Sequence, residues 1–314
     1  MSAERPGSVD LPAKIGSIRA NGSSVNIFAA LNGDDSDREQ AAGWLRRYHL
    51  ARPEVLTLAE GPWGMAREDW FEPIIRDVLA NGITPADRLP RLRFALAIHL
   101  KEKAAVTALN TGLSERAAPI GKRDVEKLNA EALVLFDRLV ADEVSLEFIP
   151  NLTLAQVAKS SAHEIRNLSV GKKALEIAGE DLDGQPMRLS DYRGKVVVLS
   201  FWHSQCGPCL DFARHERKLV ERFARRPFAP VGVNVDPDRG KAKTVSEKGK
   251  YTWKSFWCGP DGNNGDIPRS WNIQSWPTIY MIDHTGVIRS KNSRGPELDR
   301  LLDELVSKAE VDAK

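Results

Sequence analysis

Apolar residues in the first half of the chain recur every three or four positions, which is the spacing of amphipathic helices. The apolar faces of the predicted helices are formed by Ala41, Trp44, Leu45 and Tyr48; Ile74, Val78 and Leu79; Leu89, Leu92, Leu96 and Leu100; Val125, Leu128, Ala132, Leu135, Phe136 and Leu139; and Leu154, Val157, Ile165 and Leu168. The pattern predicts an all-α helical domain over residues 36–168. Residues 1–35, rich in Gly, Ser, Asn and Asp, predict a flexible leader.

From about residue 169 the pattern changes to short apolar runs rich in β-branched residues, which are typical of buried strands. These runs are 196–199, 230–235, 278–282 and 287–289. The pair Asp183-Gly184 lies between two extended segments and predicts a β-hairpin ahead of them. Helical patterns follow the first two runs and close the chain. Residues 169–314 are therefore predicted to form an α/β domain with a mixed central sheet flanked by helices.

Composition narrows the class of protein. The 314 residues are 42% hydrophobic and 28% charged, which is typical of a globular protein with room for two domains. A formal net charge of +2 argues against a nucleic-acid partner. No apolar run reaches the roughly 18 residues of a membrane span. The first seven residues lack the apolar core of a signal peptide, so a cytoplasmic protein is expected as written, or an exported one if the true start differs.

Two cysteines lie where the first buried run gives way to a helical pattern. Cys206 is therefore placed at a helix N-terminus, where unpaired backbone N–H groups and the positive dipole end lower a thiol pKa. Cys209 follows one helical turn later, within disulfide reach. A nucleophilic thiolate beside a second thiol is equipped for thiol–disulfide exchange, with Cys206 attacking and Cys209 resolving.

A Cys-x-x-Cys pair also begins many zinc sites, so a metal centre is the alternative interpretation. A zinc ribbon needs a second pair of ligands. The third cysteine, Cys258, has no Cys or His close to it in sequence and is expected to be structural. We therefore favour a redox disulfide and expect neither a metal nor a cofactor.

The segment from about Gly171 to Ser307 resembles a thioredoxin-like domain of the TlpA/ResA type. The matching residues are Phe201-Trp202, Cys206-Gly207-Pro208-Cys209 and Trp276-Pro277-Thr278. The resemblance implies a thiol–disulfide oxidoreductase that reduces disulfides of protein partners and is recharged by an unknown electron donor. It also implies a cis bond before Pro277, opposite the sulfurs.

The residues expected to bind substrate are Trp202, Trp276, Pro277 and Thr278. Trp202 is expected to be a packing neighbour of the disulfide. Trp276 could belong to the core or form a substrate platform, since a cis bond before Pro277 would present its backbone to an extended substrate.

Three positions depart from the family pattern. Ser200 stands where thioredoxins carry a buried acid, Phe212 where ResA-type proteins carry a glutamate, and Arg214 where a proline often kinks the helix. A hydroxyl has no useful basicity at neutral pH, so the proton-transfer partner of Cys209 is open. His203 and His215 are the nearest titratable candidates in sequence. We expect slow resolution of mixed disulfides at Cys206.

Two rival functions remain open. A peroxiredoxin-like peroxidase would need a threonine three residues before the reactive cysteine, where this chain has His203. The other rival is an interaction protein whose helical half docks a partner. Its Ala-rich segments at 95–97 and 130–133 faintly resemble a tetratricopeptide hairpin.

Overall fold

The computed structural model describes residues 71–80, 82, 84–111 and 118–314. The described residues divide into two compact units, with 71–106 and 123–162 in the first and 107–111, 118–122 and 163–314 in the second. The predicted leader over 1–35 and the predicted helix that includes Trp44 lie outside the described residues. Among the described residues, no helix has both the length and the apolar character to cross a membrane.

The N-terminal region is helical, as predicted. Its elements are helices α1 (Phe71–Ala80), α2 (Leu89–Thr111) and α3 (Ala118–Ala141), strands β1 (Glu147–Ile149) and β2 (Leu152–Thr153), and helix α4 (Leu154–Asn167). The two strands form a small antiparallel ribbon that the pattern did not predict. Within the described helices, Leu79, Val125, Leu128 and Leu135 of the predicted apolar faces are half-buried. The fully buried residues of these faces include Ile74, Val78, Leu92, Leu96, Leu100, Ala132, Phe136 and Leu139.

An ion cluster joins α1, α2 and α3. Glu72 on α1 lies 2.8 Å from Arg76, 3.0 Å from Lys103 and 3.1 Å from His99. Arg76 also reaches Glu131 on α3 at 2.6 Å. Burial alone would raise the pKa of Glu72, but hydrogen bonds from Lys103 and Arg76 lower it to about 2. The carboxylate therefore acts as a charged link between helices.

The second unit is built on a seven-stranded mixed sheet in the order β4-β3-β7-β6-β5-β8-β9. The strands are β3 (Ala178–Asp181), β4 (Pro186–Arg188), β5 (Val196–Trp202), β6 (Phe228–Asn234), β7 (Ser255–Trp257), β8 (Thr278–Ile282) and β9 (Ile288–Lys291). Strands β5, β6 and β7 run parallel to one another, and the other pairs are antiparallel. The hairpin predicted at Asp183-Gly184 joins β3 to β4.

Four helices accompany this sheet: α5 (Gly207–Arg222), α6 (Arg239–Lys248), α7 (Asp266–Ser270) and α8 (Gly295–Asp312). Alternate residues of β5 face opposite layers. Val196 and Val198 pack with α5 and α8, whereas Val197, Leu199 and Phe201 pack on the other side with Trp271. Because both faces are covered, the whole strand is buried, which explains its continuous apolar run.

The register of the central strands determines where the sequence motifs meet. Strand β8 is antiparallel to β5, and Thr278 pairs with Phe201. The start of β8 therefore lies beside the end of β5, where the chain turns toward the cysteines. Strand β6 runs parallel to β5, with Asn234 opposite Trp202, so its end reaches the same edge of the sheet.

Candidate active site

The cysteine pair lies at the N-terminus of α5. Cys206 is the N-cap residue, with extended backbone angles, and Cys209 lies in the first turn. The two form a disulfide with their Cα atoms 5.2 Å apart. The backbone N–H of Cys209 donates to Sγ of Cys206 at 3.1 Å. The sulfur of Cys206 therefore takes the place of a capping oxygen at the positive end of the helix.

A buried carboxylate anchors the loop that leads into the cysteines. The backbone N–H and the hydroxyl of Ser204 each donate to Asp236, both at 2.8 Å, and the side-chain amide of Asn234 donates to it at 2.8 Å. Asp238, two residues later, caps α6 by accepting from the backbone N–H of Lys241 at 3.1 Å. Asp236 ties the end of β6 to the cysteine loop.

The loop before β8 lies beside the cysteines. The peptide bond between Trp276 and Pro277 is cis. Trp276 is half-buried, packs against the cluster that contains both cysteines, and contacts the ring of His203 edge-on, with centroids 5.8 Å apart. Pro277 lines the same narrow cavity as Cys209. A guanidinium N–H of Arg294 donates to the carbonyl of Pro277 at 2.8 Å, which holds the loop to the start of α8.

The other two residues assigned to substrate binding are largely buried. Thr278 donates its hydroxyl to the carbonyl of Ser275 at 2.7 Å, so its side chain is engaged within its own loop. Trp202 donates its indole N–H to Ser255 at 2.8 Å and contacts Tyr251 edge-on, with centroids 5.9 Å apart. Trp202 shares a hydrophobic cluster with Cys206 and Cys209, as expected for a packing neighbour of the disulfide.

A buried acid that the apolar pattern did not reveal borders the same cavity as Cys209. The hydroxyl of Ser200 donates to the carboxyl of Glu216 at 2.9 Å, and both side chains are buried. Burial raises the pKa of Glu216 to about 8, and the hydrogen bond from Ser200 offsets this only in part. The premise of the slow-resolution prediction is therefore wrong, because an acid does lie beside Ser200.

A sequence signal for this acid existed. Cys209, Phe212, Ala213 and Glu216 are spaced i, i+3, i+4 and i+7, and all four lie on the buried face of α5. The neighbouring apolar residues Leu210 and Val220 of the same helix are only half-buried. A search for hydrophobic residues passes over a carboxylate on that face.

The remaining candidates have other partners. The imidazole Nε2 of His215 lies 2.8 Å from the carboxylate of Asp299 on α8. Cys258 is a free thiol whose pKa is raised to about 12 by burial, so it is a poor nucleophile at neutral pH. No group of three His, Cys, Asp or Glu side chains placed to hold a metal occurs within the described ranges.

The second unit is similar to known proteins. Residues 170–291 match the family model described as AhpC/TSA family. Thiol-disulfide oxidoreductase ResA of Geobacillus kaustophilus is 28% identical over 122 residues, which cover 39% of this chain and 68% of that protein. Thioredoxin-like protein YneN of Bacillus subtilis is 31% identical over 121 residues, covering 38% of this chain and 68% of that protein.

A solved thioredoxin domain of a thiol-disulfide oxidoreductase from Bacteroides vulgatus is also similar, at 29% identity and a TM-score of 0.42, covering 45% of this chain and 99% of that domain. The likeness to YneN extends over two thirds of that protein, and the matched family segment contains both cysteines and the loop before β8. Through its second unit, the chain therefore belongs to the thioredoxin-like thiol–disulfide oxidoreductases of the ResA/TlpA type.

Proposed function

We propose that the protein reduces disulfide bonds of protein substrates through the dithiol form of Cys206 and Cys209. The observation that carries the proposal is the position of Cys206 as N-cap of α5, with its sulfur accepting a backbone N–H. Such a position stabilises a thiolate, the nucleophile of disulfide exchange.

The reaction proceeds in two exchange steps. The thiolate of Cys206 attacks one sulfur of the substrate disulfide, and the other substrate sulfur leaves as a thiolate. Cys209 then loses its proton, attacks Sγ of Cys206 and expels the second substrate thiolate. The substrate gains two electrons and, with protons from solvent, becomes a dithiol. The enzyme is left with the Cys206–Cys209 disulfide, which a dithiol donor reduces by the reverse exchange.

We assign the substrate-facing surface to the edge where β5, β8 and α5 meet. Trp276 supports this assignment because it is half-buried and packs on the cysteine cluster, so it can serve both as a core residue and as a platform. Pro277 borders Cys209, Trp202 backs the disulfide, and Thr278 holds the loop. The catalytic domain would span residues 169–314 and follow a separate helical domain over 36–168.

The test is a turbidity assay for the reduction of insulin disulfides, with a small dithiol as electron donor. Cys206→Ser should lose activity, and Cys209→Ser should lose turnover while accumulating a mixed disulfide at Cys206. Cys258→Ser is the matched control and should keep full activity, since burial raises the pKa of Cys258 to about 12. Retained activity in Cys206→Ser would refute the proposal.

A parallel arm addresses the peroxidase alternative. Peroxide consumption is measured with the same donor and no disulfide substrate. We expect peroxide consumption far slower than insulin reduction, because His203 occupies the position of the required threonine. Fast peroxide turnover that depends on Cys206 but leaves insulin intact would favour a peroxiredoxin-like activity instead.

A further inference from the structure

The two exchange steps give no role to Glu216, although its carboxyl group borders the same cavity as Cys209. It lies on the α5 face of the sheet, hydrogen-bonded to Ser200 of β5 and two helical turns beyond Cys209. We propose that Glu216 accepts the proton of Cys209 when that thiol attacks the mixed disulfide, and returns it when Cys209 is released. This proposal rests on the proposed function.

A narrow cavity connects the two groups. Cys209, Glu216, Ser200, Tyr251 and Pro277 all border it, and its volume is about 10 Å³. That is close to the smallest space that holds one water molecule. The proposed proton transfer therefore runs within this cavity, which has room for about one bridging water molecule.

The surroundings of the carboxyl group favour its neutral form. Within the described part of the chain, its interacting partner is the Ser200 hydroxyl, and no cationic side chain pairs with it. Tyr251, across the cavity, has its pKa raised by burial and by the charge of Glu216.

Two arginines of α5 lie nearby in sequence but are committed elsewhere. Arg214 pairs with Asp211, and Arg217 donates to the carbonyl of Gly249 at 3.2 Å. Burial therefore outweighs the hydrogen bond from Ser200 and holds the pKa of Glu216 near 8, close to that of an ordinary thiol. Proton transfer between groups of similar pKa is nearly balanced and can run in both directions.

The proton balance closes in each direction. During substrate reduction, the proton of Cys209 moves to the Glu216 carboxylate, and the new thiolate forms the bond to Sγ of Cys206 as the substrate thiolate leaves. During recharging, a donor thiolate attacks Sγ of Cys206, the Cys206–Cys209 bond breaks, and the departing Cys209 thiolate takes the proton from the Glu216 carboxylic acid. Glu216 returns to its starting state after each full cycle.

The experiment measures the formation and the resolution of the mixed disulfide separately. Reduced full-length wild type, Glu216→Gln and Glu221→Gln are mixed with a peptide disulfide, quenched rapidly and analysed by mass across a pH series. Glu221→Gln is the matched control, because Glu221 is exposed on the same helix. We expect Glu216→Gln to form the mixed disulfide at the wild-type rate and to resolve it about 10²- to 10⁴-fold more slowly.

The pH profile separates a proton-transfer role from a structural one. The deficit of Glu216→Gln should be largest near and below pH 8 and should narrow above the ordinary thiol pKa of about 8.5, because solvent then ionises Cys209 unaided, whereas Glu221→Gln should follow the wild type throughout. A wild-type rate and profile in Glu216→Gln would overturn the role of Glu216 and leave the proposed function standing. The same pH-dependent deficit in His203→Ala alone would overturn that role in the same way. Failure of the wild type to form any mixed disulfide at Cys206 would instead sink the proposed function.

A spectroscopic measurement on the wild type covers the case in which Glu216→Gln does not fold. Infrared titration of the oxidised protein should reveal one protonated carboxyl band that persists to about pH 8. A band that disappears at the ordinary carboxyl pKa would overturn the proposal.

Discussion

The three cysteines differ in electrostatic environment. Cys206 caps a helix and accepts a backbone hydrogen bond, which favours its thiolate. Cys258 follows β7 and is surrounded by apolar neighbours, and burial raises its pKa to about 12. The same chemical group is thus prepared for attack at one position and kept inert at another.

This contrast predicts the order of alkylation. When the reduced protein is treated with iodoacetamide at mildly acidic pH, Cys206 should be labelled well before Cys209 and Cys258, because only a thiolate reacts. Peptide mapping over time gives the order. Labelling of Cys258 ahead of Cys206 would contradict the assignment of the nucleophile.

At the scale of elements, the site depends on the meeting of three strand ends and one helix. The turn from β5 into α5 is held at Ser204 by Asp236, which follows β6. The loop before β8 is held at Pro277 by Arg294. Neither anchor touches the sulfurs, so each would act by positioning.

Asp236→Ala removes the first anchor and should slow insulin reduction by more than its loss of stability explains. Asp236→Ala leaves the buried Ser204 N–H and the Asn234 amide without their acceptor, which costs about 1–3 kcal/mol of unfolding free energy. It should also slow insulin reduction, because the cysteine loop is released.

The matched control is Asp238→Ala, which removes the cap of α6. Loss of a cap costs about 0.5–2 kcal/mol but leaves the cysteine loop anchored. Urea unfolding and insulin reduction are measured on both variants. Equal activities at similar stability losses would show that the Asp236 anchor has no positioning role.

The elements themselves were predictable from the sequence to different degrees. The runs that became β5, β6 and β8 were found because strands buried on both faces are continuously apolar. The Asp183-Gly184 pair predicted the β3–β4 hairpin, because Asp-Gly favours the tight turns that connect antiparallel strands. The β1–β2 ribbon was missed, because strands of three and two residues are too short to show any alternation.

The residues of the candidate site that stand in sequence motifs could be predicted, whereas a residue placed there only by helix packing could not. Cys206, Cys209 and Pro277 stand in recognisable motifs. Glu216 does not, because Ser200 suggested that the buried acid had been lost. Val196, Val198 and Ser200 alternate on the face of β5 toward α5, so Ser200 meets whatever α5 presents there. Only the packing of α5 shows that this residue is a glutamate.

At the scale of the molecule, the residues of the candidate site lie in one of the two units. Every residue of the site, from Ser200 to Arg294, belongs to the unit that contains His163–Lys314, and the family match over 170–291 falls in the same unit. The helical region carries a different kind of buried acid. Hydrogen bonds keep Glu72 charged, whereas burial keeps Glu216 neutral.

The buried acid of the catalytic unit should make stability fall as pH rises. The pKa of Glu216 is about 8 in the folded protein and about 4.5 as a free side chain, so the folded state holds one more proton between these values. The contribution of Glu216 to the free energy of unfolding is therefore fully present below pH 4.5 and is lost as the pH rises toward 8. A tenfold difference between the two acid dissociation constants corresponds to about 1.4 kcal/mol, so the effect reaches several kcal/mol.

Urea unfolding of the oxidised protein across this pH range measures the effect, with Glu216→Gln and Glu221→Gln compared at each pH. Glutamine stays neutral and accepts the hydrogen bond of Ser200, so Glu216→Gln should gain stability relative to the wild type as pH rises from 4.5 to 8. Glu221→Gln should follow the wild type throughout. A stability difference between Glu216→Gln and the wild type that does not change with pH would mean that Glu216 is charged in the folded protein, and its assignment as a proton carrier would fail with it.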